Sequence, residues 1–331
     1  MLASIRTEAS PGVSLRSLVK GFVLTKRTEG KSRRTAEYYE ENLRRFLWYA
    51  DRQSWPDDIR VLTEWQIRDF LGYVGTETNR WGLKGNGSET SQRSASHATL
   101  YHYWVVLSTF FNWLVREGFI GESPVARIRP SKPKPKVVIP YSGDEIGRML
   151  RVCDYDYEHN ARFVGSRNRA MALVLLDTGV RLAEPVNMKI RDINAETGHI
   201  RVLGKGNKER VVRIGKVAQK ALWRYLMCRG RENVEQLWLT EEGRPMYDTG
   251  VQSMVKRLKE RAGVIGEGGV HRFRHSFALS FLRSDGNVFN LQYLLGHSDL
   301  EMVRRYTSTL GMEDALKAHE KASPADTMYL R

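Results

Sequence analysis

The sequence predicts a mainly α protein with a small antiparallel β-sheet: an N-terminal helical bundle followed by a C-terminal α+β domain. Three observations carry that prediction. Apolar residues recur at helical spacing through most of the 331 residues. A single pair of short β-prone runs, residues 200–203 and 210–214, interrupts them, and a Gly-containing turn joins the two. The stretch Pro130, Lys132, Pro133, Lys134, Pro135 and Lys136 can continue neither a helix nor a central strand, so it marks a boundary. The domains therefore read as 1–126, 127–141 (an extended linker) and 142–331.

Taken in order, residues 13–26 carry Val13, Leu15, Leu18, Val19, Phe22 and Val23 at helical spacing. A second helix begins after Ser32, with Tyr38, Tyr39, Leu43, Phe46, Leu47 and Ala50 inward and Glu41, Arg44 and Arg45 outward. Thr63 is a suitable N-cap for a third helix over 64–74. Residues 76–96 are rich in Gly, Ser, Thr and Asn and read as a long surface loop. The fourth helix, 98–117, holds Tyr103, Trp104, Phe110, Phe111 and Trp113, and such an aromatic stripe at helical spacing reads as bundle core.

Beyond the linker, Ser142 and Glu145 have capping-box spacing and start a helix. An apolar helix over 166–176 follows, then the hairpin, then helices over 216–229, 247–261, 272–284, 288–295, 299–306 and 312–321. No internal repeat is evident.

Composition narrows the function classes. Lys and Arg number 53 against 38 Asp and Glu, a net charge of +15, which points to a polyanionic partner. Two cysteines, Cys153 and Cys228, without a CxxC pair, argue against a disulfide scaffold or zinc finger and make a reducing cytoplasm the default. No apolar run approaches the ~18 residues of a membrane span, so no membrane partner is expected.

The chemistry concentrates near the C-terminus, in His271, Arg274, His297 and Tyr306. A helix starting after Gly268 and Gly269 puts His271 and Arg274 at i and i+3 on its first turn. A proton carrier then stands beside a planar anion fork, where the helix dipole also favours a phosphate. Gly296 after Leu295 reads as a C-cap, which leaves His297 in the turn. Tyr306 comes nine residues later, preceded by Arg304 and Arg305. His271 and His275 also have the i, i+4 spacing of a metal pair, but Arg272 stands where HExxH has its glutamate and no third ligand follows, so no metal site is expected.

The set Arg181, Lys205, His271 with Arg274, Leu294-Leu295-Gly296-His297 and Tyr306 resembles the signature of the tyrosine recombinases, the phage integrase family. The resemblance covers roughly the second half of the chain. It implies an N-terminal SAM-like core-binding domain that grips DNA and a catalytic domain of the tyrosine recombinase type. Thr178 to Glu184 resembles the family's first arginine box, so Arg181 and Arg274 would clamp the non-bridging phosphate oxygens, with Glu184 supporting them. Lys205 at the hairpin tip matches a Gly-Lys-Gly pattern and would be the general acid, with Lys208 as the alternative in the same turn. His271 would exchange a proton with the nucleophile, His297 would donate a further hydrogen bond, and Tyr306 would attack the phosphate.

The implied activity is site-specific recombination through a 3′-phosphotyrosine and a Holliday junction, without cofactor or metal. The implied partners are double-stranded DNA bearing recombination sites and a homo-tetramer whose C-terminal tails dock between protomers. Pro185 departs from the family's usual apolar helix former, so the helix after Arg181 is expected to start late or bend.

Overall fold

The computed structural model describes residues 13–78, 81, 94–134, 138–194, 196–204, 206, 208–230, 233–284, 286–296, 306, 311, 314, 316 and 319. The chain divides into two compact units, Met1–Pro135 and Lys136–Arg331.

In the first unit, α1 (Leu15–Thr28), α2 (Arg33–Arg52), α3 (Glu64–Thr76) and α4 (His97–Arg116) bury one apolar face each. Their starts are local and chemical: Ser14, Ser32, Thr63 and Ser96 each accept a backbone N–H, and Thr63 completes a capping box with Gln66. Tyr38 of α2, expected inward, is instead exposed, because it sits at the rim of the apolar face with its ring edge-on to Tyr39. The aromatic stripe of α4 is core. Phe110 and Phe111 are fully buried, and Phe22 meets Phe110 edge-on at 5.4 Å while Phe46 meets Phe70 at 5.0 Å. A 3₁₀ turn at Ile59–Val61 precedes α3. Most of the predicted 76–96 loop lies outside the described residues.

The second unit is built around α6 (Arg162–Thr178), which is buried on nearly every side against α5 (Gly143–Glu158), α8 (Lys216–Arg229) and α10 (Val270–Arg283). The apolar helix expected over 166–176 is an all-round core helix, longer than predicted at both ends. Ser142 and Glu145 form the capping box of α5. Between α6 and α8 come α7 (Ala183–Val186), a 3₁₀ turn at Ile190–Asp192 and the hairpin, β1 (His199–Leu203) antiparallel to β2 (Glu209–Arg213). Ile200, Val202 and Val212 turn inward, following the strand's period of two. Next in the chain are α9 (Asp248–Arg261), α10 and α11 (Val288–Leu295). The predicted helices over 299–306 and 312–321 fall almost wholly outside the described residues.

Helix α7 does not start late. It is a single turn with Pro185 inside it, where a missing N–H leaves no helical bond unmade, and it ends at Val186.

The contact between α5 and α6 depends on one glycine. A Cβ on Gly165 would lie 2.5 Å from the Tyr157 backbone nitrogen and 2.6 Å from the Cys153 carbonyl oxygen. Backbone cannot yield as a flexible side chain can, so the helices must separate. Gly165→Ala is expected to destabilise the second unit by about 3 kcal/mol, read as a fall in its melting temperature. An unchanged transition would show that the two helices can part at no cost.

Candidate active site

Helix α10 begins where predicted, after Gly268 (φ +95°) and the N-cap Gly269, so His271 and Arg274 both stand on its first turns. His271 is exposed and Arg274 is buried, 4% accessible. The Arg274 guanidinium donates to the Gly179 carbonyl at 2.6 Å and to the Leu295 carbonyl at 2.9 Å. Burial loosens its proton, and the nearby Tyr306 phenol, which shares a hydrogen bond with it, opposes that effect. A guanidinium stays charged even so.

Gly179 ends α6 in the left-handed conformation, φ +58°. No side chain fits there, because a Cβ would lie 2.4 Å from Phe277. The turn delivers Arg181, whose backbone N–H donates to Glu184 at 2.7 Å and whose guanidinium donates to Glu184 at 3.2 Å and to the Gly296 carbonyl at 3.1 Å. Its side chain is about one third exposed, leaving it open to a ligand. Glu184 is buried. Its carboxyl is pushed up by burial, but the Arg210 and Arg181 guanidiniums outweigh this and hold it below the usual range.

The last turn of α11 gathers these groups. Three consecutive carbonyls, Leu294, Leu295 and Gly296, accept from Arg210, Arg274 and Arg181 respectively. A helix leaves its final carbonyls unpaired and carries partial negative charge at that end, so three guanidiniums converge where both needs are met.

Tyr306 is buried with Ala278, Leu291 and Leu295. Its ring meets His275 edge-on at 4.8 Å, and its hydroxyl shares the hydrogen bond with Arg274. His275 thus packs on the tyrosine, and among the described residues no group of three His, Cys, Asp or Glu could hold a metal.

Of the predicted site residues, the structure brings together Arg181, Glu184, His271, Arg274 and Tyr306. Lys205 and His297 lie outside the described residues. Both adjoin described glycines of the site, Gly204 and Gly296. Arg210 was missed by sequence reasoning, although the strand's own alternation marks it: position 210 faces inward with Val212.

His271 is exposed as a residue, but its ring is partly desolvated by the protein, and this first, then the charges of Arg274 and Arg181, hold it below the ordinary imidazole range. It therefore stays a neutral proton acceptor at a pH where a free imidazole has begun to charge. The unfolded chain takes that proton first, so this group's contribution lowers stability as pH falls below the ordinary histidine value and leaves it unaffected above. In an NMR titration the His271 midpoint is expected to rise in Arg274→Gln, which removes a nearby positive charge. An unmoved midpoint would show that the guanidinium does not act on it.

The sequence matches the phage integrase family over residues 141–311. Among relatives, tyrosine recombinase XerC of Lactobacillus leichmannii is 31% identical over 224 residues, 66% of this chain and 74% of that protein. XerD of Listeria monocytogenes is 27% identical over 307 residues, 89% of this chain and 95% of that protein. Among solved structures, the Tn1549 transposon integrase with transposon right end DNA has a TM-score of 0.67 at 17% identity, covering 94% of this chain and 100% of that one. XerH bound to palindromic difH substrate has a TM-score of 0.65 at 23% identity, covering 94% and 84%. Sequence and fold together establish that the chain belongs to the phage integrase family, the tyrosine recombinases.

Proposed function

We propose that the protein is a site-specific DNA recombinase that cuts and rejoins strands through a 3′-phosphotyrosine and exchanges them between two duplexes by way of a Holliday junction. One observation carries the reading: Arg181 and Arg274 converge on consecutive carbonyls at the end of α11, Gly296 and Leu295, where the buried Tyr306 packs on Leu295.

In this reaction the Tyr306 oxygen attacks the scissile phosphorus and its proton passes to His271. The P–O5′ bond breaks, and the leaving oxygen takes a proton from Lys205. Arg181 and Arg274 hold the non-bridging oxygens as charge builds on them, with His297 as a further donor. A 5′-hydroxyl from the partner duplex then reverses the step. The phosphotyrosine keeps the energy of the broken bond, so the chemistry needs no nucleotide and calls on no cofactor.

Strand exchange needs two duplexes and four active sites. Lambda integrase, of the same fold at 20% identity, has been seen as a tetramer bound to a Holliday junction, which supports a homo-tetramer here. Residues after Tyr306 would then dock on the neighbouring protomer. The N-terminal domain, 1–126, would bind DNA, with 127–141 as tether and 142–331 as catalytic domain. The setting is a bacterial cytoplasm, the substrate is double-stranded DNA bearing recombination sites, and the outcome is integration, excision or resolution of DNA such as a mobile element.

The test is to incubate the protein, with EDTA, on nicked suicide DNA carrying its recombination site and to resolve the products on a denaturing gel. A covalent adduct with a free 5′-hydroxyl end is expected. Tight binding to a cognate site without adduct would sink the reading and favour a DNA-binding regulator. An adduct that religates only within one duplex would favour a type IB topoisomerase activity instead.

A further inference from the structure

Strand β2 puts Arg210 where its alternation calls for an apolar residue. Position 210 pairs with Val202 and shares its face with Val212, and both valines are buried. The Arg210 side chain is itself only 6% accessible. A charge removed from water this far must be met by partners. Its Nη1 and Nη2 donate to the two Glu184 carboxylate oxygens at 2.9 and 2.7 Å, and its Nε donates to the Leu294 carbonyl at 2.8 Å.

This buried pair touches Arg181, acts beside Arg274 at the end of α11, and packs against the glycines that precede Lys205 and His297 in sequence. Arg181 shares the Glu184 carboxylate with it. Gly204, the neighbour of Lys205, is so close that a Cβ there would come within 3.3 Å of Arg210 and 3.5 Å of Glu184. Gly296, the neighbour of His297, would bring a Cβ within 3.2 Å of the Arg210 stem. Arg274 holds the carbonyl next to the one Arg210 holds.

The charges matter as much as the positions. Glu184 carries one negative charge and faces two guanidiniums. Arg210 engages both oxygens in a bidentate fork, while the Arg181 guanidinium makes one longer contact of 3.2 Å. With the carboxylate occupied in this way, Arg181 keeps its positive charge for a phosphate. Without Arg210, the carboxylate would fall to Arg181 alone and repel the phosphate it should hold.

We infer that Arg210 is a positioning residue of the recombination reaction: it occupies Glu184 so that Arg181 stays available to the scissile phosphate, and it ties the Lys205 hairpin to the end of α11. The inference rests on the recombinase reading above.

Its test is a double-mutant cycle, scored by the single-turnover rate of adduct formation on nicked suicide DNA, with DNA affinity and melting temperature measured alongside. Arg210→Met is expected to slow cleavage about 100-fold, and adding Glu184→Gln to recover about 10-fold of that loss by removing the charge that silences Arg181. Cleavage by Arg210→Met should also quicken as pH falls, because a carboxyl that has lost its partner protonates at higher pH. If Arg210→Met does not fold, the cycle is run on Arg210→Lys, which keeps a charge but loses the fork. A purely structural arginine predicts that the second substitution brings no recovery and that the pH response is unaltered, and either result overturns the inference, as does wild-type cleavage by the folded single variant. Absence of adduct from the unaltered protein would remove both this inference and the recombinase reading.

Discussion

Tyr306→Phe is expected to leave the protein folded and bound to its DNA while strand cleavage falls by about 10⁵-fold or more, the order that goes with losing a nucleophile from a covalent mechanism. The substitution removes one hydroxyl and nothing else. The ring keeps its place among Ala278, Leu291 and Leu295 and its edge contact with His275. Arg274 keeps its two carbonyl bonds, so the lost hydrogen bond should cost only about 1 kcal/mol of stability. A folded, DNA-binding and inert variant therefore separates chemistry from structure. The measurement is adduct yield on nicked suicide DNA beside an affinity titration and a melting curve. An adduct of normal yield would mean that another of the fourteen tyrosines attacks, and mass spectrometry of the linked peptide would say which.

What the sequence made legible was mostly what is decided locally. The capping box of Ser142 with Glu145, the Ser32 cap and the aromatic stripe of α4 are matters of a few neighbouring residues. The boundaries of α8 and α11 were read to the residue, since each ends in a glycine that adopts a left-handed turn. Arg181 and Arg274 come together because each donates to a carbonyl at the end of α11, and Glu184 meets the first of them while Tyr306 packs on Leu295 of the same helix. Long-range ion pairing was not legible. Glu184 and Arg210 are 26 positions apart, and no spacing rule links a one-turn helix to a hairpin strand. The only signal was a charge on the inward face of a five-residue strand. Arg272 is a second case. In the sequence it only spoils a metal motif, yet it is buried, donates to Ile139 and Pro140 and to Glu145, and lies over the Tyr141 ring at 4.2 Å. It anchors the start of the second unit to the turn that carries His271, a contact made by residues more than a hundred positions apart.

The same long-range logic gives Arg274 the second largest expected effect. Its fork spans two backbone carbonyls from different segments, Gly179 at the end of α6 and Leu295 at the end of α11, while also meeting Tyr306. A lysine ammonium is a single point and cannot hold both carbonyls and a phosphate in one plane. Arg274→Lys should therefore slow cleavage by about 10²- to 10³-fold, comparable to removing a preorganised donor from a site of developing charge. The charge is kept, so DNA affinity should change little. Arg274→Ala should lose more rate and also stability, about 2–5 kcal/mol, since two buried carbonyls would lose their donor. Comparing the two variants divides the residue's work between charge and geometry. If folded Arg274→Lys cleaves at the wild-type rate, the planar fork has no role and a positive charge alone suffices. If Arg274→Ala melts with the wild type, the carbonyls of Gly179 and Leu295 do not depend on it, and the convergence on the last turn of α11 would be a consequence of the fold and no part of what holds the site.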